Sequence, residues 1–493
     1  MKRPFVYIFF SLFSGIVLTY IFNIRINYFI ATCIMIAFSM MLLKSTKYDM
    51  FIVVVIFVVL GNLLFNIALT YESILEANRL NNPIEVLILN DGLDRGNYTS
   101  YIEYEAKVLL TEEKSLIRLF NQTEDAFNVG DVVELTNYKS KGIDLHNEKH
   151  DGYLLYLKSR GIKNIVDINW TNIKYVKTNS KSLRAISFKI RRYIERYLDD
   201  SFHDSEKDLL KSIIFGNRGY MSKEMVSHFS RSGTAHIIAV SGLHIGLIVI
   251  FFERVMKLFK IRKKQIKILT ALTLLIYAYA VNFPVSIVRA IIMYYLYIAA
   301  YLLERKYDAI NSLLFLATIL LIINPFIIFS VSFQLSFSAT LGILILFPLI
   351  YSFFKVYIFK SLNSLLSVTL AAQLATLPIL VYHFNYLSTI SIIANLLIIP
   401  VMGLLISLTI GSIILGIISV NLATVFNIII NLLLKYVYRT AEICSVNVFS
   451  GIKLEFVEIY HVIIYYVIIV IIYLIVKKRK TTESRPLEEN YEL

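Results

Sequence analysis

The sequence predicts a polytopic α-helical membrane protein of about 12 spans carrying one small inserted β domain, and three observations support that fold class. Hydrophobic residues make up 57% of the 493, with a mean hydropathy of +0.66, more than a water-soluble core of this size would bury. The apolar residues fall in runs of roughly 20, the length at which a helix crosses a hydrocarbon layer ~30 Å thick. One stretch, 71–185, breaks the pattern: it is charged, Asn-rich and punctuated by Asp91-Gly92, Gly96, Gly130-Asp131 and Gly142.

Three spans read near the start, at about 5–24, 27–43 and 50–69, and define a membrane region over 1–70. Met1-Lys2-Arg3 would suit a signal peptide, but the apolar run is long, lacks a small-residue cleavage site and precedes two more spans, so a retained helix is expected. Lys44 and Lys47 mark the same cytoplasmic side as the N-terminus, and the third span then exports the polar stretch.

Within 71–185, alternation in Tyr101–Val108 and Asp131–Leu135 predicts half-buried strands of a small extracytoplasmic barrel or sandwich. A helix over Tyr153–Ser159 is expected to stop at Arg160-Gly161, where glycine accepts a left-handed cap. The stretch holds 15 Lys and Arg against 17 Asp and Glu, so as a whole it does not attract polyanions. From 139 to 184 the balance becomes ten to four, with Tyr153, Tyr156, Trp170 and Tyr175 interleaved. Single strands bind where cations line a groove and aromatic rings stack on bases. Lys139, Lys141, Tyr153, Tyr156, Lys158, Arg160 and Lys163 are therefore candidate DNA contacts; a solvated surface over aromatic core residues explains the same pattern.

A connector over 186–235 follows, where Lys189, Arg191, Arg192 and Arg196 alternate with Phe188, Ile190, Tyr193, Ile194 and Tyr197, as in a helix lying on a membrane surface. Ser205-Glu-Lys-Asp208 has the form of a capping box, and Gly216-Asn217 that of a helix stop. From 236 to 476 about nine spans are expected, near 236–254, 266–282, 285–303, 309–324, 330–354, 362–382, 388–418, 422–442 and 457–476. The basic run Lys257–Lys267, the pair Arg305-Lys306, Lys355 with Lys360, and Lys477–Lys480 all fall on the cytoplasmic side if the count is twelve, leaving 477–493 as a cytoplasmic tail. Asn395 and Pro400 predict a bent or re-entrant 388–418 segment.

The motif richest in chemistry is His236-Ile-Ile-Ala-Val-Ser-Gly-Leu-His-Ile-Gly246, which places two histidines and a serine at the head of an apolar run. Ile213-Ile-Phe-Gly-Asn-Arg-Gly219 precedes it; Pro284-Val-Ser-Ile-Val-Arg-Ala290, Asn324-Pro325, Phe333-Gln-Leu-Ser-Phe337, Ala372-Gln373, Leu377-Pro378, His383-Phe384, Asn395-Leu-Leu397 and Pro400 follow. In order and spacing, over about 210–405, these resemble the competence domain of the ComEC family, bacterial inner-membrane proteins that pass single-stranded DNA into the cytoplasm during natural transformation. The resemblance implies an OB-like fold for 71–185, with Val129–Glu134, Asp151–Leu157 and Arg160–Ile162 looking like its pattern. It also implies a cytoplasmic helicase-like translocase as partner and a DNA receptor outside. Many members continue into a metallo-β-lactamase-like domain; this chain ends about 17 residues after its last span and has no HxHxDH, so a short form is expected, one whose nuclease is separate, that works without one, or that has lost transformation.

His236, Ser241, Gly242, His244, Ser286, Arg289, Gln334, Ser336, Gln373 and Asn395 are the pore or motif candidates. Each has an ordinary explanation. Arg289 snorkels to an interface or faces an aqueous path where it pairs with phosphate. Ser332, Ser336 and Thr340 share a helix face that packs helices or lines a wet lumen. Gly242 and Gly246 form GxxxG, and Ser241 with His244 bonds across a packed seam or forms a nucleophilic pair. Two cysteines, Cys33 and Cys444, make neither a disulfide framework nor a CxxC site, and no HExxH and no GxxxxGK[ST] occurs. No metal, cofactor or catalytic residue is expected, and the formal charge of +14 alone does not decide for nucleic acid. The expected function is a channel for single-stranded DNA with both termini cytoplasmic. A transporter or assembly protein for another polymer is the alternative, an intramembrane hydrolase a lesser one, and homo-oligomers are compatible with all three.

Overall fold

The computed structural model describes residues 3–24, 49–70, 83–90, 92–94, 101–121, 127–143, 152–178, 183–355, 359–446, 451–455 and 457–483, with isolated positions 27, 30, 31, 34 and 357. The second predicted span, 27–43, lies almost wholly outside them. Contacts divide the chain into two units, one of 1–222, 236–333 and 403–435, the other of 223–235, 334–402 and 436–493.

The first unit begins with helices α1 (Pro4–Phe22) and α2 (Asp49–Thr70). They pack at glycine distance: a Cβ on Gly15 would stand 2.1 Å from the Val58 carbonyl oxygen and one on Gly61 2.2 Å from that of Leu12. Across this close seam Asn62 donates to Thr19 Oγ1 and to the Ile24 carbonyl, both at 2.6 Å, and Asn66 donates to Asn62.

The inserted β domain follows as β1 (Ile84–Ile88), β2 (Leu93–Asp94), β3 (Tyr101–Val108), β4 (Lys114–Phe120), β5 (Asp131–Leu135), β6 (Lys139–Gly142), helix α3 (Gly152–Ser159), β7 (Ile162–Asn169) and β8 (Ile173–Thr178). β1, β3 and β4 form an antiparallel meander, and β7 adds parallel to β4. Only three residues separate β5 from β6, and Asn137 among them takes a φ of 49°, so 131–142 acts as one bent strand. Its first half pairs with β1 and its second with β7, which closes the sheet into a five-stranded barrel without a long free edge. Val86, Ile88, Tyr104, Ala106, Val108, Leu119, Val133, Leu135 and Val166 fill it. Each such aliphatic or aromatic side chain contributes about 1.5–3 kcal/mol by leaving water. α3 covers the outside through Leu157 and Leu154 on Leu116, Ile143 and Ile162, and it ends at Gly161 with φ 74°, as expected.

Helices α4 (Leu183–Ser201), α5 (Asp204–Phe215), α6 (Lys223–Arg231) and α7 (Ala235–Ile238) make the connector. α5 stops at Gly216, φ 69°, as its sequence predicts. Its N-cap is His203 without a side-chain cap bond, so Ser205 lies inside the helix and the expected capping box does not form. Next come α8 (Gly242–Leu258), α9 (Lys263–Ala280), α10 (Val285–Leu302), α11 (Ala309–Ile323), α12 (Val331–Phe354), α13 (Lys360–Phe384), α14 (Ser391–Ile418), α15 (Val420–Val446) and α16 (Ile459–Glu483).

Eight described helices are long and apolar enough to cross a membrane: α1, α2, α10, α12, α13, α14, α15 and α16. The chain is a multi-pass membrane protein. α8, α9 and α11, also expected as spans, are shorter or more polar. Two expectations need correction. The span predicted at 236–254 is broken: α7 ends at Ile238 and α8 begins only at Gly242. The 388–418 segment does not re-enter: it runs from Ser391 through Pro400 as one 28-residue helix, whose hydroxyls return hydrogen bonds to the backbone, as Ser407 does to Gly403 and Thr409 to Leu405.

Candidate functional site

In the first unit, the break before α8 collects most of the motif. Ser241 is the N-cap, in extended backbone, and forms a capping box in which its side chain accepts from the His244 N–H while the His244 ring accepts from the Ser241 N–H at 3.3 Å. The pair therefore bonds within one helix end rather than across a seam between helices. A ring nitrogen that accepts a backbone N–H carries no proton, so neutral His244 holds its proton on Nε2. That atom is buried with no partner among the described residues. His236, on α7, is exposed.

Ser286, near the start of α10, donates to the Val240 carbonyl at 2.7 Å and ties the broken segment to the next helix. One turn on, Arg289 lays its guanidinium over Gly242: a Cβ there would stand 2.6 Å from Nη2. A side chain at 242 would have to displace the end of this arginine, since the backbone leaves it room. Gly246 meets nothing within 4 Å, so the expected GxxxG contact is made at one glycine only.

The second unit holds the remaining candidates. On α12, Gln334 Oε1 lies 2.8 Å from Nε2 of His383 at the end of α13. Also on α13, Gln373 donates to Ser391 Oγ at 3.2 Å, and Ser391 donates to the Ser388 carbonyl. Ser388 Oγ and the Tyr386 hydroxyl both reach the Arg231 carbonyl, at 2.9 and 3.3 Å. Gly233, at φ 73°, leaves room for Ser388 and Ser391, because a Cβ there would stand 3.0 and 2.5 Å from theirs. Asn395 on α14 is buried, and its Oδ1 has no partner among the described residues. Ser336, one turn beyond Ser332 on α12, offers its carbonyl to Thr340. Sequence reasoning quoted His383 without nominating it and missed Ser388, Ser391 and the Arg231 carbonyl, because their partners are far apart in the chain.

The barrel carries the other candidates. Tyr153 and Tyr156, a turn apart on α3, are both 41% exposed and stack at 6.5 Å between ring centroids. Arg118 donates to the Tyr153 hydroxyl and sits over the Tyr101 ring; Arg160 donates to the Tyr156 hydroxyl and sits over that ring. Both cations are answered by acids under α3: Glu103 lies 3.6 Å from Arg118, and Glu105 pairs with Arg160 and with Lys114. Burial works against the Arg160 charge, but Glu105, Tyr156 and Glu103 outweigh it and hold its pKa above the ordinary value. Burial raises the Tyr153 pKa, so the hydroxyl stays neutral and able to donate. Arg118 and Tyr101 were not nominated from sequence, although strand alternation puts both on the outer face with Glu103 and Glu105.

Lys139 and Lys141 project from β6, exposed, and Lys163 on β7 is half-buried. Lys158 departs from the expected basic face. It is buried, with its ammonium over the Phe326 ring at 5.9 Å, while Asn324 donates to the Lys158 and Ser159 carbonyls at 2.9 and 3.1 Å. It docks α3 on the turn after α11 instead of facing outward. Among the described residues no group of three or more His, Cys, Asp or Glu is placed to hold a metal ion.

Comparison with known proteins covers the motif-bearing half. The family model described as Competence protein matches residues 213–479. The chain is 30% identical over 211 residues to ComE operon protein 3 of Bacillus subtilis, which is 43% of this chain and 26% of that protein. It is 31% identical over 219 residues to Recombination protein 2 of Haemophilus influenzae, 41% of this chain and 27% of that protein. An uncharacterized protein of Aquifex aeolicus is 28% identical over 230 residues, 44% of this chain and 52% of the other. The chain thus spans about a quarter to a half of the length of these relatives. No solved structure matches.

Proposed function

Because the chain belongs to the Competence protein family, we propose that it serves DNA uptake in transformation, as an inner-membrane channel for single-stranded DNA with both termini in the cytoplasm. The observation that carries this reading is the string of neutral polar side chains in the second unit, Gln334 with His383 and Gln373 with Ser391, with Asn395 nearby in sequence on α14. Each nucleotide brings a charge that cannot enter hydrocarbon, so a passage needs polar contacts that are repeated and individually weak. Neutral amides and hydroxyls supply such contacts without trapping the strand as a dense row of cations would.

Arg289 is then a fixed cation at the break before α8, and the barrel, read as an OB-like domain on the outer face, receives the strand through Tyr153 and Tyr156 with Lys139, Lys141 and Lys163. Force comes from a cytoplasmic translocase and delivery from an external DNA receptor. The Ser241 and His244 pair is given no catalytic step, since both side chains are engaged in closing the helix end.

The test is transformation in the native host after deletion of the gene, scoring surface-bound labelled DNA separately from DNA protected against external nuclease. Bound but unprotected DNA is expected. Normal protection, in a competent host without a second homologue, overturns the DNA reading and favours another polymer. Arg289→Gln at normal protein level should reproduce the unprotected phenotype.

A further inference from the structure

We propose that Tyr153 and Tyr156 form a slot that takes one unstacked nucleobase face to face between their rings, and that the spacing of Glu103 and Glu105 on β3 sets its width. The proposal rests on the reading of the barrel as the part that receives the strand. Each ring is 41% exposed; the two incline at 29° and stand 6.5 Å apart between centroids. Flat groups touch at about 3.5 Å, so a base held between two rings needs about 7 Å. The pair already stands open to within about half an ångström of that width.

The helix alone does not keep such a gap. Side chains at i and i+3 are neighbours on a helix surface, about 5–6 Å apart at Cβ, and two tyrosines there can close on each other. Each hydroxyl is instead tied to its own arginine: Arg118 donates to Tyr153 at 3.2 Å and Arg160 to Tyr156 at 2.9 Å. Each arginine is in turn anchored on its own buried acid, Arg118 at 3.6 Å from Glu103 and Arg160 paired with Glu105. Glu103 and Glu105 share one face of β3 two residues apart, which is about 6.8 Å along a strand. That pitch matches the ring spacing. The repeat of the strand is thus passed through two arginines to a helix whose own repeat would not hold it. Asn324 also grips α3 at its Lys158 and Ser159 carbonyls and keeps the helix over the sheet.

Charge selects what enters. Strand register puts Asp167 of β7 beside Arg118, so Arg118, Arg160 and Lys114 meet Glu103, Glu105 and Asp167, three cations with three acids. A slot so balanced has no net attraction for a phosphate, whereas it offers a neutral planar base two π-faces. The phosphates belong at Lys139, exposed on β6 beside Asp167 in the same row and two strands from Arg118, about 10 Å away. In a duplex each base already has both faces covered by its neighbours, so the slot admits single strands and refuses duplex.

The test uses the full chain in lipid nanodiscs and dT oligonucleotides carrying 2-aminopurine, whose emission is quenched by stacking, at each position in turn. Quenching on binding is expected, with its loss in Tyr153→Ala and in Tyr156→Ala. The decisive variants are Tyr153→Phe and Tyr156→Phe, which keep both rings but cut one tether, so that the slot closes. Either should weaken binding about fivefold or more, the equivalent of one lost stack, at an unchanged melting temperature. Rings that stack bases independently would bind as before after this change, and that result overturns the proposal. So does 2-aminopurine that stays bright at every position of the bound strand, a measurement that needs no variant. Both of those outcomes leave the barrel as the receiver of the strand. Absence of oligonucleotide binding to the full chain overturns that reading and the slot with it.

Discussion

The barrel displays its polar chemistry and the helical bundle conceals it. On α3, Tyr153 and Tyr156 stand in the open with arginines stacked beside them. In the helices, Ser241, His244, Ser286, Gln334 and Gln373 each have a hydrogen-bond partner within the protein, often a backbone group. Water explains the contrast: a barrel surface can leave polar atoms to solvent, whereas a lipid-embedded helix must satisfy them internally. A ligand can meet the barrel face without rearrangement, while polar groups in the bundle must exchange partners to touch a strand. Substitutions on the barrel should therefore cost binding and spare stability, and those in the bundle should do the reverse.

The largest effect expected is at Gly242. Gly242→Leu drives a side chain into the Arg289 guanidinium and should destabilise the protein by about 3 kcal/mol, the upper range for overpacking. Thermal unfolding in detergent measures this, and an unchanged midpoint would show that Arg289 is free to swing away. Next, Tyr153→Ala with Tyr156→Ala should weaken oligo-dT binding by about 1–3 kcal/mol per lost stack with no change in melting. Binding that survives both substitutions moves the strand to another face. Ser241→Ala removes the cap and should lower stability by about 1 kcal/mol. If that variant instead lost DNA uptake at full stability, the serine would have a role beyond the cap. Smallest is the coupling between Gln334 and His383, expected at about 0.5–1.5 kcal/mol in a double-mutant cycle of Gln334→Ala and His383→Ala. Additive single effects would mean the bond adds nothing.

Much of this arrangement was legible in the chain. Apolar run length marks the spans because hydrocarbon thickness sets one length for all of them. The stop at Gly161 and the cap at Gly216 follow from local backbone sterics, which need no distant partner. The barrel strands at Tyr101–Val108 and Asp131–Leu135 show in period-two alternation, since one face of each must leave water. The motif residues were legible as a set for the same reason: Arg, His and Gln inside apolar runs cost too much to be incidental.

Their partners were not legible. Nothing in the local sequence says that Gly242 lies under Arg289, that Gln334 reaches His383 on the next helix, or that Lys158 turns to Phe326 and leaves the basic face. Nor does α4 by its own pattern reveal which part of its apolar stripe is covered; Gly416 decides that by making room for Tyr197. Periodicity and length are properties of one segment in a solvent, so the sequence alone determines them. Contacts between segments depend on which helix faces meet, a choice made by packing over the whole unit, and only the tertiary structure decides it.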